Sequence, residues 1–159
     1  MKDPTALKDP FSLAFEKYTD MVYRIAMHST SVSADAEDIA QDVFLKLLSC
    51  RKQFESEEHL KAWLIRVTIN ACHSHFRGRR EFPMEQLPEQ IAEQPVSVLD
   101  EVRALPEKYR NAIYLHYYEG YSVKEIAGIL KTRQNTVLSW LRRGRELLRR
   151  RMIGGFDDE

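Results

Sequence analysis

Apolar residues recur at three- and four-residue intervals along most of this 159-residue chain, and the alternation typical of β-strands is essentially absent. This spacing predicts helices at about 11–28, 34–48 and 57–77, then again at about 100–152 with turns near Gly120 and Lys131. Three prolines among many Glu and Gln interrupt the pattern, and they are Pro83, Pro88 and Pro95. We therefore predict an all-α fold of two small helical domains, at 11–80 and 100–153, joined by an acidic linker at 81–99.

The charged residues are distributed unevenly, although the formal net charge is zero. Residues 108–153 contain 11 Lys and Arg against 3 Asp and Glu, whereas residues 81–107 contain 1 against 7. A strongly basic segment within a neutral chain is typical of a nucleic-acid-binding module joined to another functional part.

Several classes of function lack their motifs in this sequence. It contains no Gly-rich phosphate loop, no nucleophile–base arrangement and no carboxylate cluster suited to two metals, so we expect neither an enzyme nor a cofactor. Cys50 and Cys72 form no disulfide or zinc pattern, and His59 and His73 lie roughly 20 Å apart along one helix, which argues against a metal site. No secretory segment or membrane-spanning run is apparent, so a cytoplasmic protein is expected.

The segment from Ser122 to Leu148 has the pattern of a helix-turn-helix motif. Apolar residues occupy the positions at which two crossed helices touch, and they are Ile126, Leu130, Val137 and Leu141. The second helix presents basic and hydrogen-bonding side chains on the other side, as entry into a DNA major groove requires. These candidate DNA-binding residues are Thr132, Arg133, Gln134, Asn135, Thr136, Ser139, Arg142 and Arg143.

The second predicted helix has an apolar stripe and an opposite polar face that contains one leucine. The stripe comprises Ala36, Ile39, Ala40, Val43, Phe44, Leu47 and Leu48, with Ser33 as the predicted N-cap. The opposite face holds Asp38, Gln41, Asp42 and Leu45. It is interpreted either as a docking surface for a basic partner or as an ordinary solvated face with one exposed leucine.

A narrow polar strip runs along the third predicted helix between two apolar sides. It holds Arg66, Asn70, His73 and Arg77, and Arg79 and Arg80 follow it in sequence. These groups can contact phosphates and read base edges, although an ordinary solvated strip explains the pattern equally well.

Four stretches, in this order along the chain, resemble the sigma-70 family, in particular the compact extracytoplasmic-function (ECF) sigma factors of bacterial RNA polymerase. They are FEKYTDMVYRIA, DAEDIAQDVFLKL, FESEEHLKAWLIRVTINACHSHFRGRR, and LPEKYRNAIYLHYYEGYSVKEIAGIL with TVLSWLRRGRELLR. The second and third are much more specific than the last, because other helix-turn-helix regulators share the last pattern.

The resemblance implies a function for each part of the chain. Residues 11–80 would be sigma region 2, in which Asp38, Gln41, Asp42 and Leu45 dock on the clamp helices of the polymerase β′ subunit. The strip with Arg66, Asn70, His73, Arg77, Arg79 and Arg80 would recognise and melt the −10 element. Residues 100–153 would be sigma region 4, which binds the −35 element through the helix-turn-helix. Core RNA polymerase, including its β flap, promoter DNA and an anti-sigma factor are the implied partners.

Three positions depart from the pattern of similar proteins. Lys131 occupies a position where Gly is usual, Thr132 one where an apolar residue is usual, and Trp140 one where a basic residue is usual. A non-Gly residue in a left-handed turn costs about 1–2 kcal/mol, so a turn of different shape is expected. Trp140 is interpreted either as packing at the core edge or as stacking on DNA or a partner, and Gly144 costs its helix about 1 kcal/mol relative to Ala.

Two alternative functions remain open from the sequence alone. A stand-alone helix-turn-helix regulator would bind DNA without polymerase and would not need the face around Asp42. A polymerase-interacting protein with degenerate promoter recognition would retain that face, and the departures at Lys131 and Trp140 are compatible with it.

Overall fold

The structure is a computed structural model, and it describes residues 7, 9–30, 32–77 and 98–154. All regular elements in these residues are helical, which confirms the predicted all-α fold. The chain divides into two units, Met1–Leu87 and Pro88–Glu159. No helix in the described ranges is both long and apolar enough to cross a membrane. Most of the predicted linker, together with Arg79 and Arg80, lies outside the described residues.

The first unit consists of three long helices that pack pairwise on one another. They are α1 (Pro10–Thr30), α2 (Ser33–Ser49) and α3 (Glu57–Arg77), and each agrees with its predicted position to within two residues. Their core is apolar and includes Val22, Ile25, Val43, Leu47, Leu60, Leu64 and Ile65. Thr68 is fully buried among these residues, and its hydroxyl donates to the Leu64 carbonyl at 2.6 Å.

Two details of α2 differ from the sequence prediction. The sequence pattern predicts Leu48 in the buried stripe, but this residue is 60% exposed because it lies about 140° from Val43 around the helix. Ser33 is not the N-cap, since Val32 occupies that position with extended backbone and no side-chain cap. The Ser33 hydroxyl instead lies 2.9 Å from the Tyr23 hydroxyl of α1, so a contact between helices replaces the local cap.

Glu57 in the first turn of α3 is held by two side chains of α1. The Tyr18 hydroxyl donates to its carboxylate at 2.7 Å and Lys17 Nζ at 3.0 Å. These hydrogen bonds lower the pKa of Glu57 below its usual value, and the bond from Tyr18 has the largest effect. A carboxyl with a lowered pKa stabilises the folded state above its unfolded pKa, and this contribution is lost as the pH falls through the folded pKa.

Glu57→Gln is therefore expected to lower the melting temperature at neutral pH, and the difference from the wild type should vanish under acid conditions. Thermal unfolding between about pH 7 and pH 3 measures this difference. Glu58→Gln is the control, since it removes the same charge from the same first turn of α3. A Glu57→Gln deficit that stays constant across this pH range would contradict the prediction.

The second unit consists of shorter helices around one long helix. Its elements are α4 (Val98–Arg103), α5 (Glu107–Ile113), a π-helical turn (Tyr114–Tyr118), α6 (Val123–Leu130) and α7 (Gln134–Gly154). α4 begins at Val98, so the last two residues of the predicted linker are helical. α7 packs on α4, α5 and α6, and the buried side chains include Val102, Ile113, Ile126, Val137 and Leu141.

Candidate nucleic-acid interface

The helix-turn-helix is built from α6 and the first half of α7. α6 begins with a capping box, in which the Glu125 N–H donates to the Ser122 hydroxyl and the Ser122 N–H donates to the Glu125 carboxylate, both at 3.2 Å. Ile126, Val137 and Leu141 are buried, as predicted. Ile129 is buried in place of the predicted Leu130, which is half-buried.

The turn between the two helices is left-handed despite the absence of glycine. Lys131 has φ 53° and ψ 52°, which is the left-handed region. The N–H groups of Lys131 and Thr132 both donate to the Ala127 carbonyl. The expected change in the shape of the turn is therefore wrong, because Lys131 adopts the strained conformation itself.

Of the predicted DNA-binding residues, Thr132 and Arg133 lie in the turn before α7, and the others lie in the N-terminal half of α7. Arg133, Gln134, Asn135, Arg142 and Arg143 are exposed, whereas Thr132, Thr136 and Ser139 are half-buried. Asn135, Ser139 and Arg142 span about 60° of the helix surface and point away from Val137. Arg133, Gln134 and Asn135 also line a shallow polar depression beside the turn, together with Thr132, Ala127 and Gly128.

The C-terminal half of α7 is engaged with the rest of the second unit. Arg145 donates to the Tyr117 hydroxyl at 3.2 Å, and Arg151 forms an ion pair with Glu101 of α4. Glu146 is exposed one turn beyond Arg142 on the same stripe. Uninterrupted basic and hydrogen-bonding character is thus confined to the first turns of α7, where base edges are usually read.

The polar face of α2 in the first unit is open to solvent. Asp38, Gln41, Asp42 and Leu45 are all exposed, and Leu45 retains 62% of its surface. Asp42 pairs with Lys46 at 3.1 Å on the helix surface, an interaction worth about 0–1 kcal/mol. An exposed leucine bordered by two carboxylates is available to a basic partner with an apolar centre.

The strip on α3 lies at the surface of the same unit. Asn70 is exposed, and Arg66 and His73 are half-buried. Arg77 is the last residue of α3. His75 Nε2 lies 3.5 Å from the buried Asp35 carboxylate, which joins the end of α3 to the start of α2.

The histidines and cysteines do not converge in the described part of the chain. No group of three or more His, Cys, Asp or Glu side chains there could hold a metal ion. The His59 ring packs against Phe54 with 5.3 Å between centroids, and its Nδ1 accepts the Glu55 N–H at 3.3 Å. Cys72 is fully buried, Cys50 is half-buried, and both are free thiols.

Sequence reasoning missed an apolar groove on the second unit. It is lined by Val98, Val102, Ile113, Tyr117, Tyr118, Leu148 and Met152, with Arg145 and Arg149 beside them. Tyr117 and Tyr118 remain about half exposed at its edge. The adjacent Tyr117 and Tyr118 before a turn were the one sequence feature that pointed to this groove. The groove could not be predicted from them, because α4 completes it only in the folded structure.

Known protein families match both units. The family described as Sigma-70 region 2 matches residues 14–82, and the one described as Sigma-70 region 4 matches residues 96–148. The chain belongs to the sigma-70 family. The resemblance seen in the four sequence stretches is thereby confirmed, and the α2 face and α3 strip fall in region 2 of this sigma factor while the helix-turn-helix falls in region 4.

Individual relatives of this sigma factor are ECF sigma factors. It is 30% identical over 149 residues to the ECF RNA polymerase sigma factor SigE of Mycolicibacterium smegmatis, covering 84% of this chain and 58% of that protein. It is 26% identical over 168 residues to the ECF sigma factor SigW of Bacillus subtilis, covering 91% and 90%. The sigma factor RpoE of Bartonella quintana, solved with the anti-sigma factor NepR, shares the fold with a TM-score of 0.73 at 23% identity, covering 92% of this chain and 98% of that one.

Proposed function

We propose that this sigma factor binds core RNA polymerase and directs promoter-specific initiation of transcription. Region 2 docks through Asp38, Gln41, Asp42 and Leu45 and engages the −10 element through the α3 strip, while α7 reads the −35 element. The observation that carries the proposal is the presence of both sigma-70 regions in one chain, each with its expected face exposed. The protein acts as a cytoplasmic initiation factor rather than as an enzyme.

Run-off transcription with purified protein, bacterial core polymerase and a genomic promoter library tests this proposal. Discrete start sites that share −35 and −10 elements, and that disappear without the protein, are expected. Polymerase binding without transcription would favour the degenerate interaction protein. DNA binding with no polymerase binding would favour the stand-alone regulator, which has no use for the α2 face.

The apolar groove of region 4 fits a second contact with polymerase. It is lined by aliphatic side chains and tyrosine rings, and Arg145 and Arg149 lie beside it. Such a surface suits an apolar element that carries acidic residues, and we assign the β flap of the polymerase to it. An anti-sigma factor is proposed as a regulatory partner, because the RpoE structure of similar fold contains the anti-sigma factor NepR.

Arg142→Ala is expected to weaken binding of the holoenzyme to a promoter recovered in that experiment. Arg142 is exposed on the stripe with Asn135 and Ser139, and loss of a base-edge contact costs about 1–3 kcal/mol. Binding is measured on the promoter and on a duplex with an altered −35 element. Lys124→Ala removes an exposed positive charge from α6 and serves as the control. Equal weakening on both duplexes would make Arg142 a phosphate contact instead.

A further inference from the structure

Leu138 is an exposed leucine near the start of α7. It retains 51% of its surface, although Val137 before it and Leu141 one turn later are both buried. Single exposed apolar residues are common on protein surfaces, so exposure alone has no functional meaning. The position of Leu138 on the helix, however, places it among the candidate DNA-binding residues.

The neighbours of Leu138 on the surface of α7 are polar and exposed. Side chains three and four positions apart are neighbours on a helix, so Gln134, Asn135 and Arg142 surround this leucine. Leu138 lies about 40° around the helix from both Gln134 and Arg142. It lies about 60° from Asn135 on the same side. A DNA duplex that meets these three side chains therefore also meets Leu138.

A leucine side chain can distinguish base pairs only by apolar contact, because it neither donates nor accepts a hydrogen bond. The major-groove edges of the bases present donors and acceptors together with one apolar group, the 5-methyl of thymine. Placing Leu138 against a base pair without that methyl would cover polar atoms without giving them partners, which is unfavourable. Contact with a thymine methyl instead removes apolar surface on both sides from water.

We propose that Leu138 is a specificity-determining residue of the −35 contact and that it recognises the 5-methyl group of a thymine in the major groove. This role rests on the proposed function, since it takes α7 as the helix that reads the −35 element. The polar neighbours of Leu138 supply hydrogen bonds to adjacent base edges and phosphates. Leu138 itself selects a T·A pair at one position of the element.

Replacement of thymine by uracil tests this role, because it removes the methyl group and keeps every hydrogen-bonding atom of the base. Each thymine of the −35 element, on both strands, is replaced in turn in a promoter recovered by run-off transcription. The affinity of the holoenzyme for each duplex is measured by competition. Uracil at one position is expected to weaken binding about fourfold, the effect of losing one buried methyl-sized group.

Leu138→Ala is expected to abolish this discrimination, because it removes the branched end of the side chain that reaches the methyl. The variant should bind the thymine and uracil duplexes equally, and an exposed alanine is well tolerated in a helix. Arg142→Ala is the matched control on the same surface. It should weaken binding to both duplexes and keep the preference for thymine.

Three results would overturn the role of Leu138. They are a −35 element without any T·A pair, a wild-type holoenzyme that binds every uracil duplex as tightly as the thymine duplex, and a thymine preference that persists unchanged in Leu138→Ala. Failure of the wild-type protein to support any core-dependent transcription would instead refute the proposed function itself.

Discussion

Asp42→Arg is expected to abolish binding to core RNA polymerase. Asp42 lies beside Leu45 at the centre of the exposed α2 face, so polymerase docking there would bury both residues. Truncating one partner of a buried hydrogen-bonded charge pair costs about 2–5 kcal/mol, and reversing the charge adds repulsion. The affinity should fall at least about 30-fold, since each 1.4 kcal/mol is a factor of ten. Titration of labelled core polymerase with each variant measures the loss.

Glu37→Arg is the matched control for this experiment. Glu37 is exposed on α2 and lies about 140° around the helix from Asp42, so it borders the proposed docking face beside Gln41 instead of lying at its centre. Both substitutions change the charge by the same amount, and loss of the Asp42–Lys46 surface pair alters stability by about 1 kcal/mol at most. If both variants bound polymerase equally well, or lost binding together with their folded structure, the docking assignment would be wrong.

Gly144→Leu is expected to destabilise the second unit, whereas Gly128→Leu should leave it unchanged or more stable. A Cβ at Gly144 would meet Ile113 Cγ1 at 2.9 Å and Cδ1 at 3.2 Å, while one at Gly128 would have no atom within 4 Å. Overpacking a closely packed site costs about 1–3 kcal/mol. Replacing a helical glycine in open space gains up to about 1 kcal/mol.

Chemical denaturation followed by tryptophan fluorescence measures this difference. The chain has two tryptophans, Trp63 in the first unit and Trp140 in the second. In a Trp63→Phe background the remaining Trp140 reports the second unit alone, and a Trp140→Phe background reports the first. Equal stability of the two leucine variants would show that Gly144 is not required for the contact between α5 and α7.

The departures at Lys131 and Gly144 illustrate what local propensity can and cannot predict. Each residue is unfavourable in its own helix or turn by about 1 kcal/mol. Lys131 nevertheless keeps the left-handed turn, because the buried side chains of α6 and α7 determine the crossing of the helices. The glycine at position 144 is explained by a residue of another helix, because Ile113 of α5 occupies the space that a larger side chain would need. Trp140 is half-buried, as packing at the core edge requires.

In the candidate sites, too, some features follow from local periodicity and others depend on contacts between elements. Exposure of Asp42, Asn70, Asn135 and Arg142 followed from helical periodicity, because the face opposite a buried stripe is determined by local geometry. The helical pattern did not predict the partners of Arg145 and Arg151. These partners, Tyr117 and Glu101, belong to other elements.

The sequence by itself determined the all-α class, the division into two sigma-70 regions and the faces that remain exposed, because helical periodicity and motif spacing are local properties. The tertiary structure alone decided that Ser33 bonds Tyr23 rather than capping α2, and that α4 completes an apolar groove. Each of these contacts joins residues of different helices, and their distances depend on how whole helices pack.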